Sequence, residues 1–246
     1  MAIEIRELRK EYKDVVAVDR LTLSIGDGEI FALLGVNGAG KTTTVKMLSC
    51  LAAPTSGDAE ICGHSVSAEP DKVKTVIDIS MQETAVARNL TVEENLSFYA
   101  RIRGLGKEEA EKRIAETVAT FGFGPIMKKR AKTLSGGWQR KLSIALALLS
   151  RPKVLYLDEP TLGLDVIARR ELWALIEKLK GTMTVVLTTH YMEEAEYLSD
   201  RIGIMKDGKL LTVGTAKEIV DATGCANFED AFVSVVTKGG VDREIR

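Results

Sequence analysis

The sequence predicts an α/β chain with an N-terminal antiparallel β region, a core of parallel strands and helices, and a helical segment inserted between two core strands. Three observations predict it. Apolar and polar residues alternate over much of the first 25 positions, as in half-buried antiparallel strands. Runs at 30–34 and 154–157 are apolar without a break, as in strands covered on both faces. A glycine-rich turn joins the first of those runs to a segment of helical period.

Taken in order, Ile3, Ile5 and Leu8 nearly alternate with charge, and Leu21, Leu23 and Ile25 alternate with Thr22 and Ser24. Gly26-Asp27-Gly28 is a turn signal before the buried strand Ile30-Phe31-Ala32-Leu33-Leu34. After the glycine-rich turn, Val45, Leu48, Leu51 and Ala52 mark a helix that stops by Pro54. His64, after Gly63 in a hairpin-like stretch, reads as a surface residue. A strand over 76–80 leads to Gln82, and from 83 to 150 the texture is helical and charged, with Ala110, Ile114, Val118 and Phe121 on one helix face. Val154-Leu155-Tyr156-Leu157 is the next strand, followed by a helix bearing Leu172, Leu175, Ile176 and Leu179, then a strand over 184–188. Residues 201–213 read as a hairpin turning at Asp207-Gly208, and the tail beyond Asp221 has a mixed texture with a polar end. One domain is expected: a core of 1–83 and 151–220 that includes the antiparallel β subdomain, a helical subdomain at 84–150 and a tail at 221–246.

Composition narrows the functions. The 246 residues include 34 Lys+Arg and 35 Asp+Glu, a net charge of −1 that argues against a general nucleic-acid binder. With 45% hydrophobic and 28% charged residues, the chain can bury the core of one large α/β domain or two small ones. No stretch approaches the roughly 18 apolar residues of a membrane span. The most apolar run, 142–149, is broken by Ser143, and the charged N-terminus lacks the apolar centre of a signal peptide. A membrane role is therefore expected to come through a partner. Cys50, Cys62 and Cys225 are odd in number and contain no CxxC, so they indicate neither a disulfide framework nor a zinc site but thiols in a reducing cytosol.

Two motifs carry chemistry by themselves. Gly35-Val36-Asn37-Gly38-Ala39-Gly40-Lys41-Thr42 matches G-x-x-x-x-G-K-[ST] between a buried strand and a helix, with Thr43 next. Its glycines let backbone N–H groups curl around phosphate oxygens, and the helix N-terminus adds favourable partial charge. Lys41 can reach the β/γ-phosphates and the Thr42 hydroxyl can ligate Mg²⁺, so on its own the motif says that a nucleoside triphosphate binds. Asp158 and Glu159 end a buried strand at the carboxyl edge of the sheet, where ligands bind in open α/β folds. Asp158 suits indirect coordination of Mg²⁺ and Glu159 suits polarising a water.

Leu134-Ser135-Gly136-Gly137-Trp138-Gln139, about twenty residues before Asp158 and at the start of an amphipathic helix, completes a set. Together the three motifs resemble the signature of the ATP-binding-cassette (ABC) ATPases; the resemblance covers nearly the whole chain and implies a P-loop NTPase (RecA-like) core. It implies ATP and Mg²⁺ as ligands and further site positions: Tyr12 to stack on adenine, Gln82 to sense Mg²⁺ and water, Asp165 in Gly163-Leu164-Asp165, and His190 as a γ-phosphate contact. Glu159 would be the general base. Ser135, Gly136 and Gly137 would act in trans, because two such domains pair head-to-tail around two ATP molecules.

Two departures stand out. Trp138 replaces the commonest glutamine of the signature, and Val36 stands where many relatives have proline. From 126 to 157 there is no acidic residue but eight basic ones: Lys128, Lys129, Arg130, Lys132, Arg140, Lys141, Arg151 and Lys153. They read either as a solvated basic face or as a field that favours phosphates or anionic lipid. The segments Asn89-Leu90-Thr91-Val92-Glu93-Glu94-Asn95-Leu96 and Asn227-Phe228-Glu229-Asp230-Ala231-Phe232 look like those of bacterial ABC-2, multidrug-resistance exporters. The resemblance thus implies a cytoplasmic ATPase subunit, peripheral on the inner face of the membrane. It would dimerise on ATP and drive integral membrane subunits through 82–103. A soluble ATPase of an assembly machine, such as an iron–sulfur scaffold type, and an importer ATPase are the alternative readings.

Overall fold

A computed structural model describes residues 1–240. The strands β1 (Ile3–Tyr12) and β2 (Val15–Ile25) form an antiparallel hairpin, and β3 (Ile30–Gly35) is buried at all six positions. Helix α1 (Lys41–Leu48) follows, then β4 (Ser56–Ile61), the short β5 (His64–Ser65), α2 (Pro70–Val76) and β6 (Ile77–Ser80). The insertion consists of α3 (Val92–Ile102), α4 (Lys107–Phe121) and α5 (Gly136–Leu149). Next come β7 (Val154–Asp158), α6 (Val166–Glu177), β8 (Thr184–Thr189), α7 (Met192–Leu198), the hairpin β9 (Arg201–Lys206) and β10 (Lys209–Gly214), α8 (Ala216–Thr223) and α9 (Phe228–Lys238).

The strands make a four-stranded antiparallel sheet, β2-β1-β4-β5, and a six-stranded sheet, β10-β9-β3-β8-β7-β6, parallel except for β10. Two-residue alternation explains why the central strands are apolar throughout. Ile30, Ala32 and Leu34 of β3 enter the core beneath the helical insertion, whereas Phe31 and Leu33 enter the core shared with the antiparallel sheet. Leu155 and Leu157 of β7 divide from Val154 and Tyr156 in the same way. Full burial of each large side chain contributes about 1.5–3 kcal/mol, so the central strands are strongly held.

Parallel register brings the strand ends to one edge. Leu34 pairs with Thr189, and Asp158 with Thr188. The turn after β3, the acidic end of β7 and the residue after β8 therefore rise side by side.

Several local expectations are corrected. Helix α1 ends at Leu48, and Leu51 is 60% exposed, because Cys50 takes a left-handed φ of 57° that breaks the helix before Pro54. Val76 closes α2 instead of opening a strand; Pro70 at the first turn of α2 is the overlooked start signal. The segment 83–91 is not helical; its end caps α3 through a reciprocal Thr91–Glu94 capping box. His64 is half-buried, 3.6 Å from the Glu69 carboxylate. Helix α8 begins at Ala216, ahead of the expected tail boundary, and the mixed tail closes α8 and forms α9; Ile219, Phe228, Ala231, Phe232 and Val235 join the main core, and the expected polar end lies in 241–246, outside the described residues.

Candidate active site

The glycine-rich turn between β3 and α1 forms the floor of a cavity of about 580 Å³, which Asn37, Gly38, Ala39, Gly40, Lys41, Thr42 and Thr43 all line. Glycine is required at two of these points. Gly40 has φ 106°, and a Cβ there would lie 2.5 Å from the Ala17 carbonyl oxygen. Gly38 has φ 83° but open space around it. Gly35 and Val36 do not line the cavity, but their carbonyls accept hydrogen bonds from Lys41 Nζ at 2.7 and 3.2 Å. The Lys41 ammonium is thus folded back along the loop, buried, and 3.5 Å from Glu159 Oε1.

The acidic strand end reaches the cavity in two ways. Asp158 is fully buried and sits behind the floor. Its Oδ1 accepts from Thr42 Oγ1 at 3.1 Å and from Thr188 Oγ1 at 2.5 Å. Its Oδ2 has no protein partner, an orphaned anionic oxygen beside a hydroxyl. Glu159 lines the wall in a left-handed backbone conformation, φ 48°. Its Oε2 lies 2.6 Å from His190 Nδ1, so the lysine, the carboxylate and the imidazole are joined in one chain of contacts. Gln82 completes the wall, on the segment leaving β6.

These residues fit a nucleoside triphosphate with Mg²⁺. Backbone N–H groups at a helix start and a buried ammonium face the floor, and hard oxygen ligands stand next to them. Among the described residues, no cluster of three His, Cys, Asp or Glu side chains can hold a metal by itself.

The structure does not bring the remaining expected residues to this cavity. Tyr12, 46% exposed at the end of β1, stays off the cavity wall, which is formed on that side by Val15, Val16 and Ala17. Ser135 caps α5, accepting from Trp138 N, and is exposed with Gly136; Gly137 is half-exposed, and Asp165 caps α6 by accepting from Ile167 N and Ala168 N. None of the four lines the cavity. Trp138 turns inward: its ring is 6.0 Å from Phe123, with Lys141 Nζ 4.7 Å above it. The tryptophan therefore packs on the core and leaves the serine and glycines outward.

Sequence reasoning missed several contributors. Asp207, at the tip of the β9–β10 hairpin, lines the cavity, and Gly208 N donates to Ala39 O at 3.1 Å. Thr188 orients Asp158, and its Oγ1 also accepts from Glu159 N. A hydroxyl inside a wholly buried strand needs a polar partner, and that was the available signal. The basic run is not one solvated face, since Arg140 and Lys141 are both buried.

A family model described as ABC transporter matches residues 18–162. The chain belongs to the ABC transporter family. It is 41% identical over 225 residues to the daunorubicin/doxorubicin resistance ATP-binding protein DrrA of Streptomyces peucetius, covering 91% of this chain and 68% of that protein. It is 40% identical to the doxorubicin resistance ATP-binding protein DrrA of Mycobacterium tuberculosis, covering 97% and 71%. Against the human phospholipid-transporting ATPase ABCA3 it is 43% identical over 218 residues, 87% of this chain but only 13% of that much longer protein. Among solved structures, the ATP-binding subunit of an ABC transporter superposes with a TM-score of 0.85 at 28% identity, covering 96% of this chain and 99% of that one. A dimeric ATP-binding cassette in a post-hydrolysis state, bound to ADP and Pi, superposes with a TM-score of 0.78 at 26% identity, covering 87% and 98%. The two segments that resembled ABC-2 exporters are both helix starts, at Thr91 before α3 and Asn227 before α9. Among the described residues, no helix of this ABC-family chain is long and apolar enough to cross a membrane.

Proposed function

We propose that this chain is the ATP-hydrolysing subunit of an ABC exporter, closing as a pair on ATP and driving separate integral membrane subunits. One observation carries the reading: Lys41, Glu159, His190 and Gln82 converge on a single cavity floored by the glycine-rich turn, while Ser135 faces solvent elsewhere. The cavity is half of a site, and the exposed Ser135–Gly137 turn of a second copy supplies the other half. Similarity to DrrA-type resistance proteins supports export over import and over soluble assembly work.

In this reading the turn amides and Lys41 hold the triphosphate. Thr42 Oγ1 and, behind it, Asp158 would hold Mg²⁺, which when bound neutralises phosphate charge. Glu159 is the general base: one oxygen is anchored by His190 at 2.6 Å, and the carboxylate faces the cavity where a water attacks. His190 contacts the γ-phosphate, Gln82 senses metal and water, and Asp165 and Tyr12 act at the margins, on the paired copy and the adenine. Chemistry here is mostly positioning and charge neutralisation. The γ-phosphate is a ligand for both copies, so ATP stabilises the closed pair and hydrolysis releases it.

The test is Glu159→Gln. It keeps the shape of the side chain while removing its basicity, so ATP binding is retained, turnover falls to background and ATP-bound dimers accumulate in size-exclusion chromatography with Mg²⁺. Hydrolysis at the parent rate, or a variant that stays monomeric at saturating ATP, contradicts the reading.

A further inference from the structure

Helix α5 carries a buried guanidinium that the proposed chemistry does not use. Arg140 lies five residues after Ser135 and is 5% exposed. Its two terminal nitrogens each donate at 2.7 Å, Nη1 to the carbonyl of Met81 and Nη2 to the carbonyl of Gln82. It has no carboxylate within ion-pair distance among the described residues, whereas its neighbour Lys141 is paired with Glu171 at 2.5 Å. Burial pulls the Arg140 guanidinium below its ordinary value, and the surrounding Asp158, Glu194 and Glu159 charges oppose that.

A buried charge without an ion pair is expensive, and a neutral amide could satisfy two carbonyls at less desolvation penalty. What the guanidinium adds is geometry. It is a rigid planar fork that fixes two successive carbonyls at once, which a flexible ammonium cannot do. The carbonyls it holds are the two that set the exit of the chain from β6, at the residue whose side chain lines the cavity.

We propose that Arg140 is a positioning residue: its fork ties the Gln82 segment to the signature helix, so that the Ser135 end of α5 and the Gln82 side chain hold one fixed relation. This rests on the reading of Gln82 as the sensor of Mg²⁺ and water. Arg140 does not line the cavity. It sets where Gln82 sits when the two copies close.

The experiment is a double-mutant cycle on the full chain with Arg140→Met and Gln82→Ala, reading kcat, half-saturating Mg²⁺, ATP affinity and melting temperature. Arg140→Met is expected to lower kcat about 10- to 100-fold, the scale of a misplaced catalytic contact, and to raise half-saturating Mg²⁺. ATP affinity should stay within about twofold, because the glycine-rich turn is untouched. In the Gln82→Ala background the same change should add almost nothing. Arg140→Lys keeps the charge but lacks the fork; it should show the same non-additive loss in milder form, and it carries the test alone if Arg140→Met does not fold. Additive effects, or a folded Arg140→Met with parental kcat, overturn the proposal while leaving the role of Gln82 intact. Loss of ATP affinity and thermal stability in step with kcat reduces Arg140 to a packing residue and also overturns it. A silent Gln82→Ala removes the underlying reading and this inference together, and is recognisable because the single control fails before the cycle is closed.

Discussion

Replacing Gly40 and Gly38 separately by alanine tests the geometry of the glycine-rich turn against its composition. Both positions have positive φ, 106° and 83°, so both variants carry the backbone penalty of a Cβ in that region, about 1–3 kcal/mol each. They differ in what the new methyl meets. At Gly38 there is no atom within 4 Å; at Gly40 the methyl is 2.5 Å from the Ala17 carbonyl oxygen, with Met205 Cε at 3.3 Å and the Gly208 Cα at 3.4 Å. A backbone oxygen cannot rotate away as a side chain can, so the β2 strand and the start of α1 must separate. Overpacking of this kind adds about 1–3 kcal/mol. In a chain of 246 residues that difference corresponds to a melting temperature about 2–12 °C lower for Gly40→Ala than for Gly38→Ala. The assay is differential scanning calorimetry without nucleotide, so that phosphate contacts do not enter. ATP titration of the same samples should then show the Gly40 variant binding more weakly than its stability alone explains, because the helix start it displaces lines the cavity proposed to hold the phosphates. Coincident melting temperatures would refute the claim that Ala17 closes over this glycine, and with it the account of why the turn has its shape.

Lys41→Ala removes the buried ammonium and leaves Glu159 without its cationic neighbour; ATP affinity by calorimetry should fall about 10- to 100-fold, and an unchanged value contradicts the phosphate-loop assignment. Asp158→Asn retains an acceptor for Thr42 and Thr188 but removes the charge, so half-saturating Mg²⁺ should rise about tenfold while metal-free ATP binding is unchanged; a parental Mg²⁺ curve excludes Asp158 from metal binding. Glu194 gives a pH prediction. Burial pushes its carboxyl above the ordinary 4.5, the polar groups of Thr189, Thr161 and Trp173 oppose that, and the nearby Glu159 charge raises it further. A raised carboxyl favours folding most below 4.5 and loses that contribution as pH rises through its folded pKa. Glu194→Gln keeps the oxygen that accepts from Trp173 Nε1 at 3.0 Å and cannot ionise. The variant should therefore gain on the parent in melting temperature as pH rises, and match it in acid. A parent that holds its own at high pH defeats the argument.

Which parts were legible in the sequence follows from how local their causes are. The buried strands announced themselves because burial on both faces leaves no polar position, and β3, β7 and the turn between β3 and α1 fall where the pattern put them. The convergence of Asp158, Glu159 and His190 on the glycine-rich turn depends on parallel strand order, which the residues alone do not show; His190 is reached only through the ABC resemblance. The ends of elements were less legible. A left-handed Cys50 stops α1 early, and nothing in the residue type demands it. Arg140 was counted as one basic residue among eight because charge on a helix normally means solvent. Its burial depends on the chain leaving β6 directly beneath α5, a tertiary fact with no local pattern. The ABC resemblance assigns Tyr12 to the nucleotide; register sets it at the turn end of the β1–β2 hairpin, opposite Val15, which itself lines the cavity.

The layout of α5 shows how one helix can serve two ends of the proposed site. From Leu142 onward nearly every residue is buried, so the later turns are set in the core and cannot tilt alone. Its first turn, by contrast, is exposed and presents Ser135 and Gly136 outward. Arg140 lies between these regions, about 7.5 Å along the axis from Ser135 at the usual rise per residue. Because the later turns cannot tilt alone, in the proposed closure a pull on Ser135 by a second copy would move α5, with its guanidinium, together with the core around it. Both carbonyls that the fork holds belong to the segment carrying Gln82. Under the proposed function, closure of the pair and placement of Gln82 in its own cavity would be one mechanical event, which is why the Gln82→Ala background should silence the effect of changing Arg140.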